Sequence, residues 1–172
     1  MPADAIRILG IDPGSRVTGY GVIDFYRNQS KHVASGTIRI KEGDLSQRLN
    51  KIFAGVREVV DQFSPHEMAA EKVFMSKNPD SALKLGQARG AAILAATQDG
   101  VPFNEYSPNQ IKQAITGRGH ADKSQMQHMI RVLLNLEKRP AEDAADALAV
   151  AICHAHIRES AARIARSREL TA

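Results

Sequence analysis

The stretch Ile6-Arg7-Ile8-Leu9-Gly10-Ile11-Asp12-Pro13-Gly14-Ser15-Arg16-Val17-Thr18-Gly19-Tyr20-Gly21-Val22-Ile23-Asp24-Phe25-Tyr26 decides how the chain is read. An apolar run from Ile6 to Ile11 is cut by Asp-Pro-Gly, and a second run, Tyr20 to Tyr26, follows almost at once. Short apolar runs bounded by turn residues are strands rather than helices. A third run, Val33 to Ile40, alternates Ile38 and Ile40 with Thr37 and Arg39, and connections this short predict an antiparallel meander. Helical spacing begins only behind a capping Asp44, where Leu45, Leu49, Ile52, Val56, Val59 and Phe63 recur on one face and stop before Pro65. A strand then spans Met68 to Phe74, a helix Asp80 to Gln98 and a strand Val101 to Tyr106. A short helix runs from Ser107 and Pro108 to Gly117, and two more cover about Asp122 to Asn135 and Ala141 to Ile164. Strands first, then strands alternating with helices, predict an α/β protein: a mixed five-stranded sheet flanked by helices.

A chain of 172 residues makes one domain, with residues 1–5 and about 159–172 expected as flexible ends. The 23 Lys and Arg against 19 Asp and Glu give a net charge of +4, a mildly basic balance that favours a polyanionic partner. Cys153 is the only cysteine, which excludes a disulfide framework and a cysteine-based zinc site and fits a reducing compartment. There is no charged start followed by a long apolar stretch and no run of about 18 apolar residues, so a cytoplasmic location is expected.

Against this frame four acids stand among apolar or small residues: Asp12, Glu71, Asp143 and Asp146. Carboxylates are rarely buried without partners, and no basic partners are evident nearby in sequence. Divalent ions held between them resolve the difficulty, and all-oxygen ligands suit Mg²⁺ or Mn²⁺ rather than zinc. Asp12 sits where a strand gives way to a turn, and a turn-starting Asp is the plain alternative for it. Glu71 shares a strand face with Ala69, which is a core environment unless that strand is an exposed edge. Asp143 and Asp146, three apart on a helix, share a face with Cβ atoms about 5–6 Å apart. Acids at a helix N-terminus also serve the macrodipole, the plain alternative for that pair. Two ions held by such a cluster would activate a water and stabilise the oxygen leaving a phosphodiester, which makes a hydrolytic nuclease. The six histidines offer no rival site, since His154 and His156 are two apart on a helix and no HExxH occurs; no GxxxxGK[ST] loop is present either.

Gly10-Ile11-Asp12-Pro13-Gly14-Ser15-Arg16-Val17-Thr18-Gly19-Tyr20-Gly21, Glu71 with Val73-Phe74-Met75, Ser81-Ala82-Leu83-Lys84-Leu85-Gly86-Gln87-Ala88-Arg89-Gly90 and Asp143-Ala144-Ala145-Asp146-Ala147-Leu148-Ala149 resemble, in this order, the bacterial Holliday-junction resolvases of the RuvC family. The resemblance runs from about Ile6 to His156 and implies a ribonuclease-H-like fold. It further implies Mg²⁺-dependent paired nicking of four-way DNA junctions by a homodimer that works with a branch-migration motor. Position by position, it carries the catalytic acids onto Asp12, Glu71, Asp143 and Asp146. Phe74 falls on the family's aromatic at the junction centre, where a ring can stack on an unpaired base. Lys112 and Lys123 fall on lysines beside the scissile phosphate, able to offset its charge.

The helix from Asp80 has Ala82, Gly86 and Gly90 at four-residue spacing, and each interior glycine costs about 1 kcal/mol relative to alanine. Such a row lets another backbone approach: the protein's own sheet, DNA, or the second subunit that the resemblance joins through this helix. Lys77, Lys84, Arg89 and Arg118 are candidates for phosphate contact, with Lys112 and Lys123. A non-catalytic junction-binding protein and a ribonuclease H or integrase-like nuclease are the alternatives. The hairpin of actin-like ATPases also resembles Asp12 to Gly19, but those proteins need two such domains.

Overall fold

A computed structural model of the protein describes residues 4–73 and 78–169. β1 (Ile6–Asp12) and β2 (Val17–Tyr26) pair antiparallel from Ile6 opposite Phe25 to Asp12 opposite Gly19, and β3 (Gln29–Arg39) pairs antiparallel with β2. The meander is therefore as the sequence predicts, but β2 and β3 outrun their apolar stretches. The turn between them is only Arg27-Asn28, both at positive φ (47° and 63°), so pairing continues to Tyr26 opposite Gln29. A two-residue turn of that hand matches the strand twist, and Asn suits it even without glycine.

α1 (Leu45–Phe63) crosses to β4 (Glu67–Glu71), parallel to β1, and α2 (Pro79–Thr97) crosses to β5 (Phe103–Tyr106), parallel to β4. The five-stranded sheet has the order β3-β2-β1-β4-β5. α3 (Pro108–Thr116), α4 (Lys123–Leu133) and α5 (Glu142–Glu169) follow. α1, α3 and α4 each start in a reciprocal capping box, Asp44 with Gln47, Ser107 with Gln110 and Asp122 with Gln125. α5 continues past Ile164 to Glu169, its last turns exposed.

One boundary needs correction. β4 ends at Glu71, three residues short of the expected Phe74, because β5 itself ends at Tyr106. The Lys72 amide makes the last bond across, donating to the Tyr106 carbonyl at 2.8 Å, and Val73 beyond it is exposed.

The period of two along the strands divides the core. Leu9, Ile11, Val22 and Met68 face α1 and α2, while Ile8, Ile23 and Ala69 face α3, α4 and α5, giving a helix–sheet–helix sandwich. Gly10 and Asp12 share the Ile8 side of β1. There α5 lies on the sheet with no side chain between: a Cβ on Gly10 would stand 2.0 Å from the Ala147 carbonyl oxygen and 2.8 Å from the Ala151 nitrogen. Ala144, Ala145, Ala147, Ala151 and Ala155 of α5 are all buried, small enough for this approach. Among the described residues no helix is long and apolar enough to cross a membrane.

Candidate active site

β1 and β4 are parallel neighbours with Ile11 beside Ala70, so their last residues, Asp12 and Glu71, emerge side by side at the carboxyl ends of the central strands. In open α/β sheets this is where ligands bind. Asp12 is fixed by the turn that follows it: the Thr18 hydroxyl, fully buried, donates to the Gly14 carbonyl at 3.2 Å, and the Arg48 guanidinium donates to the Ser15 carbonyl. Opposite Asp12 in β2 is Gly19, and a Cβ there would stand 2.0 Å from the Asp143 carbonyl oxygen and 3.1 Å from the Asp143 Cβ. Gly19 thus lets the first turn of α5 settle beside Asp12, and Asp146 follows one turn on. Two strands and one helix bring all four predicted acids to one end of the sheet.

Their electrostatics show the crowding. Burial, then the charges of Asp146, Asp143 and Glu71, push the Asp12 carboxyl up to about 7, with Lys123 opposing. The Glu71 carboxyl is raised by burial and by Asp146, with Lys112 opposing; Asp146 is raised by burial, then by Glu142 and Asp143 against the pull of Lys123. A cleft of about 260 Å³ opens here, lined by Glu71, Asp146, Lys112, Lys123, Ile111 and Met126 among others. As they stand, no three His, Cys, Asp or Glu side chains among the described residues are grouped tightly enough to grip an ion. The donor set nonetheless fits a hard divalent cation: it is all carboxylate oxygen, and Asp12, Glu71 and Asp146 are each raised in part by neighbouring carboxylates, so added positive charge is favourable there.

The basic residues fall in three groups. Lys112 and Lys123 stand at the cleft, and the Lys123 ammonium pairs with Glu142, a partner the sequence reading missed although Glu142 precedes Asp143 directly. Arg118 is exposed in the loop after α3, and Lys84 is exposed on α2, paired with Asp80 one turn before it at 2.6 Å. Arg89 is placed differently from the expectation of phosphate contact: it is only 14% exposed, and its guanidinium turns inward to the Glu71 carbonyl oxygen at 3.2 Å and to the Glu105 carboxylate. Phe74 and Lys77 lie outside the described residues.

Sequence reasoning also passed over a partly buried polar chain that links the end of β5 to the start of β4 through α5. The Tyr106 hydroxyl meets His154 Nδ1 at 2.6 Å, His154 Nε2 meets Glu67 Oε2 at 2.5 Å, and Arg158 Nε donates to Glu67 Oε1 at 2.9 Å. The carboxylate can only accept, so Nε2 carries the proton and Nδ1 accepts from the tyrosine. Burial opposes the charge on Glu67, but the bonds from Arg158 and His154 outweigh it and hold that carboxyl below its usual range.

Fold and site together define an α/β protein with a carboxylate-lined cleft at the carboxyl ends of its central strands. The sequence matches the family model of the crossover junction endodeoxyribonuclease RuvC over residues 8–154. It is 57% identical over 161 residues to the crossover junction endodeoxyribonuclease RuvC of Klebsiella pneumoniae, covering 94% of this chain and 93% of that one. It is 59% identical over 153 residues to the enzyme of the same name in Shewanella frigidimarina, covering 89% and 88%. Among solved structures, Thermus thermophilus RuvC in complex with a Holliday junction substrate superposes with a TM-score of 0.84 at 34% identity, covering 90% of this chain and 96% of that one. The chain belongs to the RuvC family of crossover junction endodeoxyribonucleases.

Proposed function

We propose that the protein is a Holliday-junction resolvase, a homodimer that places one nick in each of two symmetric strands of a four-way DNA junction during recombination and repair. The observation that carries this is the convergence of Asp12, Glu71, Asp143 and Asp146 at one end of the sheet, beside a cleft that Glu71 and Asp146 line, in a chain belonging to this family. A twofold dimer presents two identical sites to a substrate of near twofold symmetry, which accounts for pairing of the nicks. The outward face of α2 is the best seat for the second subunit: Leu83 and Leu94 are 63% and 60% exposed there, and nothing stands within 4 Å of a Cβ built on Gly86 or Gly90. The row of small residues therefore does not serve the protein's own sheet.

The four acids would hold Mg²⁺, two ions per site, with Mn²⁺ able to substitute. When bound, the ions supply an activated water for in-line attack on the phosphodiester and offset charge on the leaving oxygen. Lys112 and Lys123 at the cleft draw in the scissile phosphate, and Lys123 must leave Glu142 to do so. Phe74 is assigned to stacking on an unpaired base at the junction centre, and Lys77, Lys84 and Arg118 to phosphates of the arms. The work is expected in the cytoplasm, alongside a branch-migration motor.

A labelled four-way junction incubated with and without Mg²⁺ tests the reading. The wild type should give paired symmetric nicks only with the ion, and Asp12→Asn should bind the junction without nicking it. Full nicking by Asp12→Asn would refute the assignment of the acids, and binding without nicking by the wild type would favour a junction-binding protein of the same fold.

A further inference from the structure

We infer that Arg89 is a positioning residue that sets the end of β4, and with it the carboxylate of Glu71, from α2. Glu71 is the last paired residue of its strand, a place where backbone frays unless something holds it. From the β5 side, the Lys72 amide donates to the Tyr106 carbonyl at 2.8 Å. From the helix side, the carbonyl of Glu71 itself accepts from Arg89 Nη2 at 3.2 Å. The same guanidinium pairs with Glu105 on β5 and lies 5.6 Å from the centroid of the Phe103 ring. Three attachments, to a carbonyl, a carboxylate and a ring face, fix the plane of the guanidinium. One side chain therefore joins α2, β4 and β5 at the peptide that bears Glu71.

A phosphate contact is the competing use of Arg89, but its Nη2 is turned to Glu71 and Glu105, its Nε is buried, and the side chain is largely covered. Both bonds leave the one nitrogen Nη2, so a lysine ammonium could replace them only in part, losing the guanidinium plane that lies over the Phe103 ring. Geometry at a phosphoryl site is unforgiving, and a carboxylate displaced by about 1 Å can cost on the order of a hundredfold in rate.

The inference rests on the reading of Glu71 as a catalytic acid, so Glu71→Gln is measured beside the Arg89 variants. Three quantities are read on full-length protein: single-turnover nicking of a four-way junction at saturating protein, junction Kd in EDTA across a salt series, and amide hydrogen exchange at Lys72. Arg89→Met should slow nicking by about 10- to 100-fold with the junction Kd within about twofold of wild type, and the Lys72 amide should exchange faster. Arg89→Lys should recover part of the rate, and Glu105→Gln, which leaves the guanidinium in place, should lose less than Arg89→Met. If Arg89→Met fails to fold, Arg89→Lys and Glu105→Gln carry the same comparison. A wild-type rate in the folded Arg89 variants overturns the inference. So does weakened junction binding with a shallower salt dependence, the mark of a lost phosphate contact. Undiminished nicking by Glu71→Gln would instead remove the reading on which it rests.

Discussion

Asp12→Asn should make the protein more stable in ion-free buffer even though it is expected to lose nicking. Crowding lifts the Asp12 carboxyl from its ordinary 3.8 to about 7, so the folded protein holds this proton more tightly than the unfolded chain does. Its contribution to stability is full below about 3.8 and is lost as pH rises through about 7. At about 1.4 kcal/mol per pH unit, the charge costs the fold on the order of 4 kcal/mol in mildly alkaline solution. At roughly 2–4 °C per kcal/mol for a domain of this size, and with side-chain rearrangement admitting water, removing it should raise Tm by about 5–10 °C near pH 8. Near pH 5, where the folded-state carboxyl is already protonated, the gain should shrink to about half or less. Thermal unfolding in EDTA at both pH values measures this, and Mg²⁺ added near pH 8 should raise the Tm of the wild type far more than that of Asp12→Asn. An Asp12→Asn protein no more stable than wild type in EDTA near pH 8, or a gain that does not depend on pH, would refute the electrostatic account.

Three other perturbations read different parts of the structure. Gly10→Ala drives a methyl against the Ala147 carbonyl, which is backbone and cannot swing aside; denaturant unfolding should show a loss of about 3 kcal/mol or more. Glu67→Gln removes the charge that Arg158 and His154 both hold, and should cost about 1.5–3 kcal/mol at neutral pH. Because the Glu67 carboxyl is held below its ordinary 4.5, that stability belongs to the charged form; a series of unfolding curves should show the difference narrowing as pH falls below about 4.5. Gly90→Glu places a charge on the outward face of α2, and sedimentation should report monomer where the wild type sediments as dimer, with the circular dichroism of the fold retained.

Local signals dictate most of the architecture. The Asp-Pro-Gly break after Ile11, the caps at Asp44, Ser107 and Asp122 and the glycine at 117 each act within a few residues, so they are visible in sequence. The four acids were legible because carboxylates among alanines and isoleucines contradict the composition around them. What escaped depends on distant partners. The ends of β4 and β5 are set by each other, and the inward turn of Arg89 follows from Glu105 and Phe103 lying sixteen and fourteen residues further on. The pairing of Glu67 with His154 spans 87 residues, and neither neighbourhood announces it. Gly10 and Gly19 were visible within a motif, but their reason, the backbone of α5 lying against them, exists only in three dimensions.

The seating of α5 on bare glycine backbone has a mechanical corollary. Asp143 and Asp146 cannot shift relative to Asp12 without lifting a helix off the sheet, so these three carboxylates form the fixed jaw of a vice. Glu71, on a strand end held by the Lys72 amide and the Arg89 side chain rather than by a helix seated on backbone, is the jaw with more play. A cation of a different radius would be accommodated on the Glu71 side alone, so discrimination among divalent ions should follow substitutions around β4 and leave those around β1 without effect on ion preference.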